Sequence, residues 1–214
     1  MCGRYSLVKE YEKFKRQFPL LAEDFYQKYV LDRPEIFPGT NILAINNRWE
    51  PEEDWWTIRD KSWDGKMVST VNAKAENITR TPMFRDAFKS DRVLIPATSL
   101  FEWQVQDDGS KKKFKIWFDE PLFAFAGVAR ECEIKGEPKR CAVIVTTAPN
   151  ETFKLIHNTK MRQAVVIREN DYEKWLNPKT SSDELKELMK PLPEAETHFE
   201  EADEKKAEQP DLFS

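Results

Sequence analysis

The amino-acid sequence predicts an α+β fold, a single domain built on an antiparallel β-sheet or barrel-like core with short flanking helices. Short runs of strand-forming residues recur between turn residues, helical periodicity is confined to a few segments, and no segment is repeated. Hydrophobic residues make up 40% and aromatic residues 12% of the 214 residues, so a core can form without disulfides or metal.

The helices are predicted from apolar residues that recur every three or four positions. Near the N-terminus this spacing runs from Leu7 to Phe18, which predicts a helix of about 12 residues with Lys and Glu on its opposite face. Further helices are predicted at residues 21–30, 82–89, 151–157, 171–176 and 181–189.

The strands are predicted from short runs of β-type residues that are bounded by turn residues. They cover residues 41–46, 67–72, 93–95, 100–105, 114–118, 122–128, 142–147 and 164–167. Turn sequences at 107–110 and 135–136 are typical of hairpins. Many strands with a few interspersed helices favour one domain around an antiparallel sheet or barrel.

Charge divides the chain into a body and a tail. Residues 194–214 hold eight acids and two lysines, a net charge of −6. Subtracting this from the total of −4 leaves +2 for residues 1–193. We expect a catalytic domain over residues 1–192 and an acidic, disordered tail over 193–214. This balance neither requires nor excludes a nucleic-acid partner.

Several classes of protein are disfavoured by composition. No apolar run approaches the roughly 18 residues of a membrane helix, and the first residues lack the apolar stretch of a secretory signal. Three cysteines suggest a reducing compartment, and Cys132 and Cys141, which flank a polar turn, are expected to be buried free thiols. With only two histidines, neither a metal nor another cofactor is expected. The sequence predicts a cytoplasmic protein.

Cys2 is the most distinctive candidate for chemistry. Removal of Met1 would leave an α-amine and a thiol on adjacent carbons. With ordinary pKa values of about 7.7–8.0 for the amine and 8.5 for the thiol, both groups are usable nucleophiles near neutral pH. Such a 1,2-aminothiol condenses with an aldehyde to a Schiff base, and the thiol then closes a thiazolidine. Ring-opened abasic deoxyribose is such an aldehyde. Position alone equally allows an ordinary residue at a frayed terminus.

Six short motifs place Cys2 in a wider pattern. In chain order they are CGRY at 2–5, VNAKAE at 71–76, FRDAF at 84–88, RVLIPA at 92–97, FEW at 101–103 and IHN at 156–158. Together they resemble the SOS response-associated peptidase (SRAP) family, the abasic-site shielding proteins. The resemblance covers roughly residues 2–178 and implies the fold of that family.

The resemblance implies roles for four residues. Cys2 matches the nucleophile that forms the thiazolidine, and Asn72 matches the residue that holds the reacting centre by hydrogen bonds. Glu102 matches the catalytic carboxylate. A glutamate beside Trp103 in a β-rich segment is also one whose pKa can be raised for proton transfer. His157 matches the histidine that helps to open the sugar ring and to reverse the crosslink.

Four basic residues resemble those that hold DNA in the family: Arg4, Lys74, Arg85 and Arg162. Lys74 stands where the family commonly has arginine, and it keeps the charge but loses the bidentate fork. The usual Arg-Met-Pro after the histidine is replaced by residues 160–162, Lys-Met-Arg. The usual Trp-Gly-Leu is absent. Trp55, Trp56 and Trp63 occupy that region instead, and we consider them as a stacking platform for unpaired bases.

The function that the resemblance implies is covalent capture of abasic sites in single-stranded DNA, after self-removal of Met1, in the DNA damage (SOS) response. Two alternatives stay open at this point. One is an N-terminal-cysteine amidohydrolase or peptidase, since glutamine amidotransferases also begin Met-Cys-Gly. The other is a non-catalytic, replication-associated adaptor that holds single-stranded DNA.

The C-terminal residues suggest a further partner. Gln209, Leu212 and Phe213 resemble the short peptides that dock bacterial sliding clamps. Such a tether would raise the effective concentration of the enzyme at replicating DNA. We therefore expect a monomer that associates with the bacterial nucleoid and has no membrane partner.

Overall fold

The computed structural model describes residues 2–8, 11–20, 23, 27–28, 33–61 and 65–203, and within them it confirms the α+β class. The strands and helices are β1 (Tyr5–Leu7), α1 (Tyr11–Gln17), β2 (Arg33–Ile36), β3 (Asn41–Ile45), β4 (Pro51–Trp56), β5 (Ile58–Lys61), β6 (Met67–Thr70), β7 (Asn72–Lys74), α2 (Pro82–Ser90), β8 (Arg92–Ala97), β9 (Ser99–Val105), β10 (Lys111–Phe118), β11 (Phe123–Ile134), β12 (Glu137–Thr147), α3 (Glu151–Ile156), β13 (Gln163–Ala164), β14 (Val166–Ile167), α4 (Tyr172–Leu176), α5 (Ser182–Leu188) and β15 (Thr197–Glu201).

Five strands close into a barrel-like core. Strands β12, β4, β3, β8 and β11 pair in this order, and β11 pairs back with β12. The β11–β12 hairpin turns at Lys135 and Gly136, which both have positive φ, as a tight two-residue hairpin turn requires. The turn predicted at 135–136 is therefore confirmed. The β4–β12 and β7–β12 pairings are parallel.

A second sheet covers the barrel and carries the N-terminus. Its strands follow the order β15, β10, β9, β1 and β2. Tyr5 of β1 pairs with Leu100 of β9, and the Phe101 N–H donates to the Arg4 carbonyl, so the N-terminal segment runs beside β9. The Tyr5 ring packs edge-on against Trp56 and Phe125, at centroid distances of 5.2 Å and 5.6 Å, and so joins the second sheet to the barrel.

The first helix begins later than predicted, at Tyr11, because Leu7 belongs to β1. Its apolar periodicity is real, since Phe14 and Phe18 are both fully buried. Most of the helix predicted at 21–30 lies outside the described residues. Cys132 and Cys141 are buried free thiols, as expected. None of the helices in the described ranges is long and apolar enough to cross a membrane.

The start of the tail is a correction to the sequence prediction. Residues Glu194–Glu196 form a 3₁₀ turn, and β15 pairs with β10 along its full length, so this part of 193–214 is not disordered. Thr197 is buried, and Phe199 packs edge-on against Phe114 at 5.9 Å. Residues 204–214 lie outside the described residues.

Candidate active site

Four separate elements bring the predicted catalytic residues together. Cys2 lies three residues before the start of β1, Asn72 begins β7, Glu102 lies in β9, and His157 caps the C-terminal end of α3. The Asn72 Nδ2 donates a hydrogen bond to the Cys2 carbonyl oxygen at 3.1 Å. The His157 Nδ1 lies 3.7 Å from the Glu102 Oε2. Long-range pairing, rather than sequence proximity, builds this cluster.

The Cys2 side chain is fully buried in the chain that still carries Met1. Burial raises the pKa of its thiol, and the nearby Glu102 charge raises it further. The Arg4 backbone N–H donates to the sulfur and opposes this shift. The thiol therefore stays protonated near neutral pH and needs a proton acceptor before it can attack.

Glu102 can provide proton transfer at this position. Glu102 is only 3% exposed, and burial raises the pKa of its carboxyl from 4.5 to about 8. A carboxyl with this pKa is mostly protonated at pH 7, yet it can release its proton under mild conditions. That property suits a general acid that later acts as a base.

His157 is neutral and has one defined tautomer. Its Nδ1 lies 2.8 Å from the Arg162 carbonyl oxygen, which can only accept, so Nδ1 carries the proton. The Nε2 is then an acceptor. Burial lowers the imidazole pKa from 6.5 to about 4. Burial therefore keeps both His157 and Glu102 uncharged near neutral pH where these two side chains contact each other.

A cavity of about 480 Å³ opens over this cluster. It is lined by Gly3, Arg4, Val71, Glu102, Trp103, Val105, Lys111, His157, Thr159 and Lys160. Three of these side chains are cationic and one is a large aromatic ring, which suits an anionic ligand that carries a planar base. A larger cavity of about 740 Å³, between β5–β6 and the β11–β12 hairpin, contains none of the predicted site residues.

Arg4 is held firmly at the cavity wall. Its guanidinium lies between the rings of Phe37 and Trp103, at 4.4 Å and 4.7 Å from their centroids. It also forms an ion pair with Glu35 at 3.1 Å, and Glu35 pairs with the buried Lys113 as well. Arg4 therefore brings a positive charge to the cavity from a fixed position.

The other three predicted DNA-binding residues are not all placed alike. Lys74 is exposed at the end of β7, and its charge contributes to lowering the pKa of Glu76. Arg162 forms a bidentate ion pair with the same Glu76, which brings these two cations into one neighbourhood. Arg85 is on the exposed face of α2, where it pairs with Asp86 at 3.1 Å.

Two features of the site differ from the sequence interpretation. Lys160, considered only as a departure from a motif, lines the cavity. Its charge opposes the rise in the Glu102 pKa that burial causes, and it adds to the fall in the His157 pKa that burial causes. Its spacing of three residues from His157 was the available signal. The platform interpretation is wrong for Trp56, which is fully buried and donates to the Val71 carbonyl at 3.0 Å. Trp63 lies outside the described residues.

Within the described ranges, no group of three or more His, Cys, Asp or Glu side chains is arranged to hold a metal ion. Glu102 and His157 line the cavity, whereas Cys2 and Asn72 are buried members of the same cluster and are not among its lining residues. The cluster thus combines a thiol, a carboxyl, an imidazole and an amide. This set can add a nucleophile to a carbonyl and move the accompanying protons.

Comparison with known proteins gives consistent matches over nearly the whole chain. The family described as SOS response associated peptidase (SRAP) matches residues 1–205. The abasic site processing protein YoaM of Bacillus subtilis is 35% identical over 205 residues, covering 89% of this chain and 86% of the relative. The abasic site processing protein YedK of Escherichia coli is 26% identical over 197 residues, covering 88% and 85%.

Solved structures support the fold. A protein from Bacteroides thetaiotaomicron superposes with a TM-score of 0.83 at 24% identity, covering 95% of this chain and 93% of that one. A protein from Bordetella bronchiseptica superposes with a TM-score of 0.76 at 17% identity, covering 94% and 100%.

Proposed function

Because the chain belongs to the SOS response associated peptidase (SRAP) family, we propose that it captures abasic sites in single-stranded DNA through a thiazolidine formed by Cys2. Family membership and the names of its relatives support the processing of abasic sites. The observation that carries the finer proposal is the convergence of Cys2, Asn72, Glu102 and His157 in one cluster, of which Glu102 and His157 line the cavity.

The reaction begins once Met1 has been removed and the Cys2 amine is free. The amine nitrogen adds to the aldehyde carbon of the ring-opened sugar and forms a carbinolamine. Glu102, protonated because its pKa is about 8, donates its proton to the departing hydroxyl, which leaves as water. Asn72 holds the Cys2 carbonyl meanwhile, so the nucleophile keeps a fixed direction.

Ring closure then uses the carboxylate that the first step has generated. Glu102 takes the thiol proton and so regains its protonated form, and the sulfur adds to the carbon of the protonated Schiff base. The C=N electron pair returns to the nitrogen, which keeps the proton that it already carries. The overall change is aldehyde plus aminothiol to thiazolidine plus one water. Neutral His157 offers Nε2 as an acceptor for the sugar hydroxyl proton during ring opening, and it assists the reverse reaction.

The proposed grip on DNA uses Arg4, Lys74, Arg85 and Arg162 as phosphate contacts. Arg4 and Lys160 line the cavity, which favours a backbone that passes directly over the reacting carbon. Arg162 could join only by giving up its ion pair with Glu76. Arg85, on α2, would meet a more distant part of the strand.

The test is adduct formation on a single-stranded oligonucleotide with one uracil, with and without prior uracil removal. Mature protein should form a denaturation-resistant adduct only after uracil removal, and Cys2→Ala should abolish it. A non-cleavable extension before Cys2 should also prevent it, because the amine is then locked in a peptide bond. Absence of an adduct with wild-type protein, despite confirmed Met1 removal, would favour the amidohydrolase or adaptor alternatives.

The C-terminal peptide extends the proposal to location. We propose that Gln209, Leu212 and Phe213 dock a bacterial sliding clamp and so deliver a monomeric enzyme to replicating DNA at the nucleoid. The support is the resemblance of residues 209–213 to clamp-docking peptides. The peptide also lies beyond residue 205, where the family match ends.

A further inference from the structure

The segment that follows His157 returns to the sheet through an unusual backbone. The His157 N–H donates to the Phe153 carbonyl at 2.8 Å and ends α3, and the Met161 N–H donates to the His157 carbonyl at 3.1 Å. Met161 has a φ of 51°, in the left-handed region that is unfavourable for a residue with a side chain. Its side chain is 43% exposed, so packing of that side chain does little to hold this conformation.

Arg162 supplies contacts that do hold it. Its Nη1 and Nη2 lie 2.6 Å and 2.9 Å from the two carboxylate oxygens of Glu76. Its Nη2 also donates to the Thr146 carbonyl oxygen on β12 at 2.6 Å. We call Arg162, Glu76 and Thr146 the Arg162 clamp. It fastens the loop end to the barrel through a planar, two-pronged contact.

The clamp acts on the same residue that orients the catalytic imidazole. The carbonyl oxygen of Arg162 is the acceptor for His157 Nδ1. A fixed position of this carbonyl fixes both the tautomer and the orientation of the His157 ring. Hydrogen-bond acceptors orient metal-binding histidines in the same way. Loss of the clamp would free the strained Met161 backbone to relax and would move that acceptor.

We propose that Arg162 is a positioning residue for His157, acting through its own carbonyl oxygen, and that Glu76 is required for this role. This inference rests on the proposed function, in which His157 works on the sugar ring. It gives Arg162 a different role from a phosphate contact. The Arg162 side chain is only 15% exposed, and its charge is already matched by Glu76.

The proposal is tested first on the protein without DNA, by NMR of the His157 ring. His198→Gln removes the only other histidine and assigns the signals. Wild type should show an Nδ1-bound proton and an imidazole that stays neutral well below pH 6, because burial lowers its pKa to about 4 while Glu102 and Lys160 face it. Arg162→Met and Glu76→Gln should both mix the tautomers, because each frees the Arg162 carbonyl that accepts the Nδ1 proton. Loss of this hydrogen bond should also lower the imidazole pKa further, because the bond to the Arg162 carbonyl raises it.

The matched control is Arg48→Met, which breaks an exposed ion pair between Arg48 and Glu50. It should leave the His157 signals unchanged. Arg162→Lys should give His157 signals between those of wild type and those of Arg162→Met, because lysine cannot make the two-pronged contact. Wild-type His157 signals in both Arg162→Met and Glu76→Gln would overturn the proposal, and this outcome does not depend on whether the protein forms adducts.

The second measurement is the rate of adduct formation and reversal in a double-mutant cycle. Arg162→Met should slow the His157-dependent step by roughly 10- to 100-fold through misplacement of the ring, and it should add nothing in a His157→Ala background. A phosphate contact would instead give additive losses and reduce the salt dependence of DNA binding by about 0.7 in the logarithmic slope. That result would overturn the positioning role. No adduct with wild type would count against the proposed function alone.

Discussion

Among single residues, Glu102 shows how catalysis and stability oppose each other in this fold. Burial raises its pKa from 4.5 to about 8, so the folded chain binds a proton that the unfolded chain releases above pH 4.5. The stability that this proton contributes is complete below pH 4.5 and is lost as the pH rises through 8. The same carboxyl that serves as the proposed acid therefore makes the fold weaker at alkaline pH.

Glu102→Gln separates the two roles. The amide cannot transfer a proton, so the rate of adduct formation should fall by roughly 10²–10⁴-fold at pH 7. It also needs no proton to be buried, so the free energy of unfolding above pH 8 should exceed that of wild type. Single-turnover adduct assays and urea unfolding at pH 5 and pH 9 measure the two effects.

Glu151→Gln is the matched control, since Glu151 has a 66% exposed side chain at the start of α3. It should change neither the rate nor the pH dependence of unfolding. An unchanged adduct rate in Glu102→Gln would remove the acid/base role from Glu102. An unchanged difference in stability between the two pH values would contradict the raised pKa.

Among the elements, β11 and β8 approach closely because Gly127 has no side chain. Gly127 pairs with Val93, and a Cβ at position 127 would lie 2.8 Å from Val93 Cγ2 and 2.9 Å from Ile95 Cδ1. Gly127→Ala should lower the free energy of unfolding by about 1–3 kcal/mol, because the added methyl overpacks the barrel wall.

Chemical denaturation of Gly127→Ala, Val93→Ala and the double variant measures this contact. If crowding is the cause, Val93→Ala should cost less in the Gly127→Ala background than in wild type, because it removes the nearest clashing atom. Simple additivity of the two losses would contradict that cause.

The sequence pattern predicted the helices and strands that are determined by their own residues rather than by tertiary contacts. Helix α2, with its proline at the start, and the β11–β12 hairpin, with its turn at Lys135 and Gly136, are examples. Strand β4 was missed because residues 51–56 include three acids in a row. Two of these, Glu52 and Asp54, pair with Arg140 of β12 at 2.6 Å and 3.3 Å, so tertiary charge pairing overrides local preference.

For the active site, too, the sequence predicted residues that belong to local motifs but not contacts made between distant segments. Ordered motifs predicted Cys2, Asn72, Glu102 and His157, and the structure brings these side chains together. Motifs did not predict the partner of Arg162, because Glu76 lies 86 residues away in sequence. An isolated basic residue predicts a charge but not whether a distant carboxylate already neutralises it.

On the scale of the whole molecule, the described part of the acidic C-terminal region adds a strand, Thr197–Glu201, to the second sheet. Residues 194–203 contain five acids and no Lys or Arg. Three of these acids form ion pairs: Glu196 with Arg168, Glu200 with Lys115 and Glu201 with Lys112. Three of the eight acids in residues 194–214 are thus matched by basic residues on the domain surface. The family match to residue 205 agrees with this boundary.

Two truncations test this division of the C-terminus. A chain that ends after Asp203 keeps β15 and should retain the wild-type thermal midpoint and adduct formation. A chain that ends after Pro193 exposes the edge of β10 and should melt several degrees lower. A loss of 1 kcal/mol in the free energy of unfolding lowers the midpoint by about 2–4 °C at this chain length. Both truncated chains lack Gln209, Leu212 and Phe213, so immobilised sliding clamp should retain neither of them. The full-length Leu212→Ala variant should likewise fail to bind the clamp. Circular dichroism and a pull-down with purified clamp provide the measurements. Equal midpoints for the two truncations would remove β15 from the folded domain, and equal clamp retention by the full chain and the Asp203 truncation would exclude the C-terminal peptide as the docking segment.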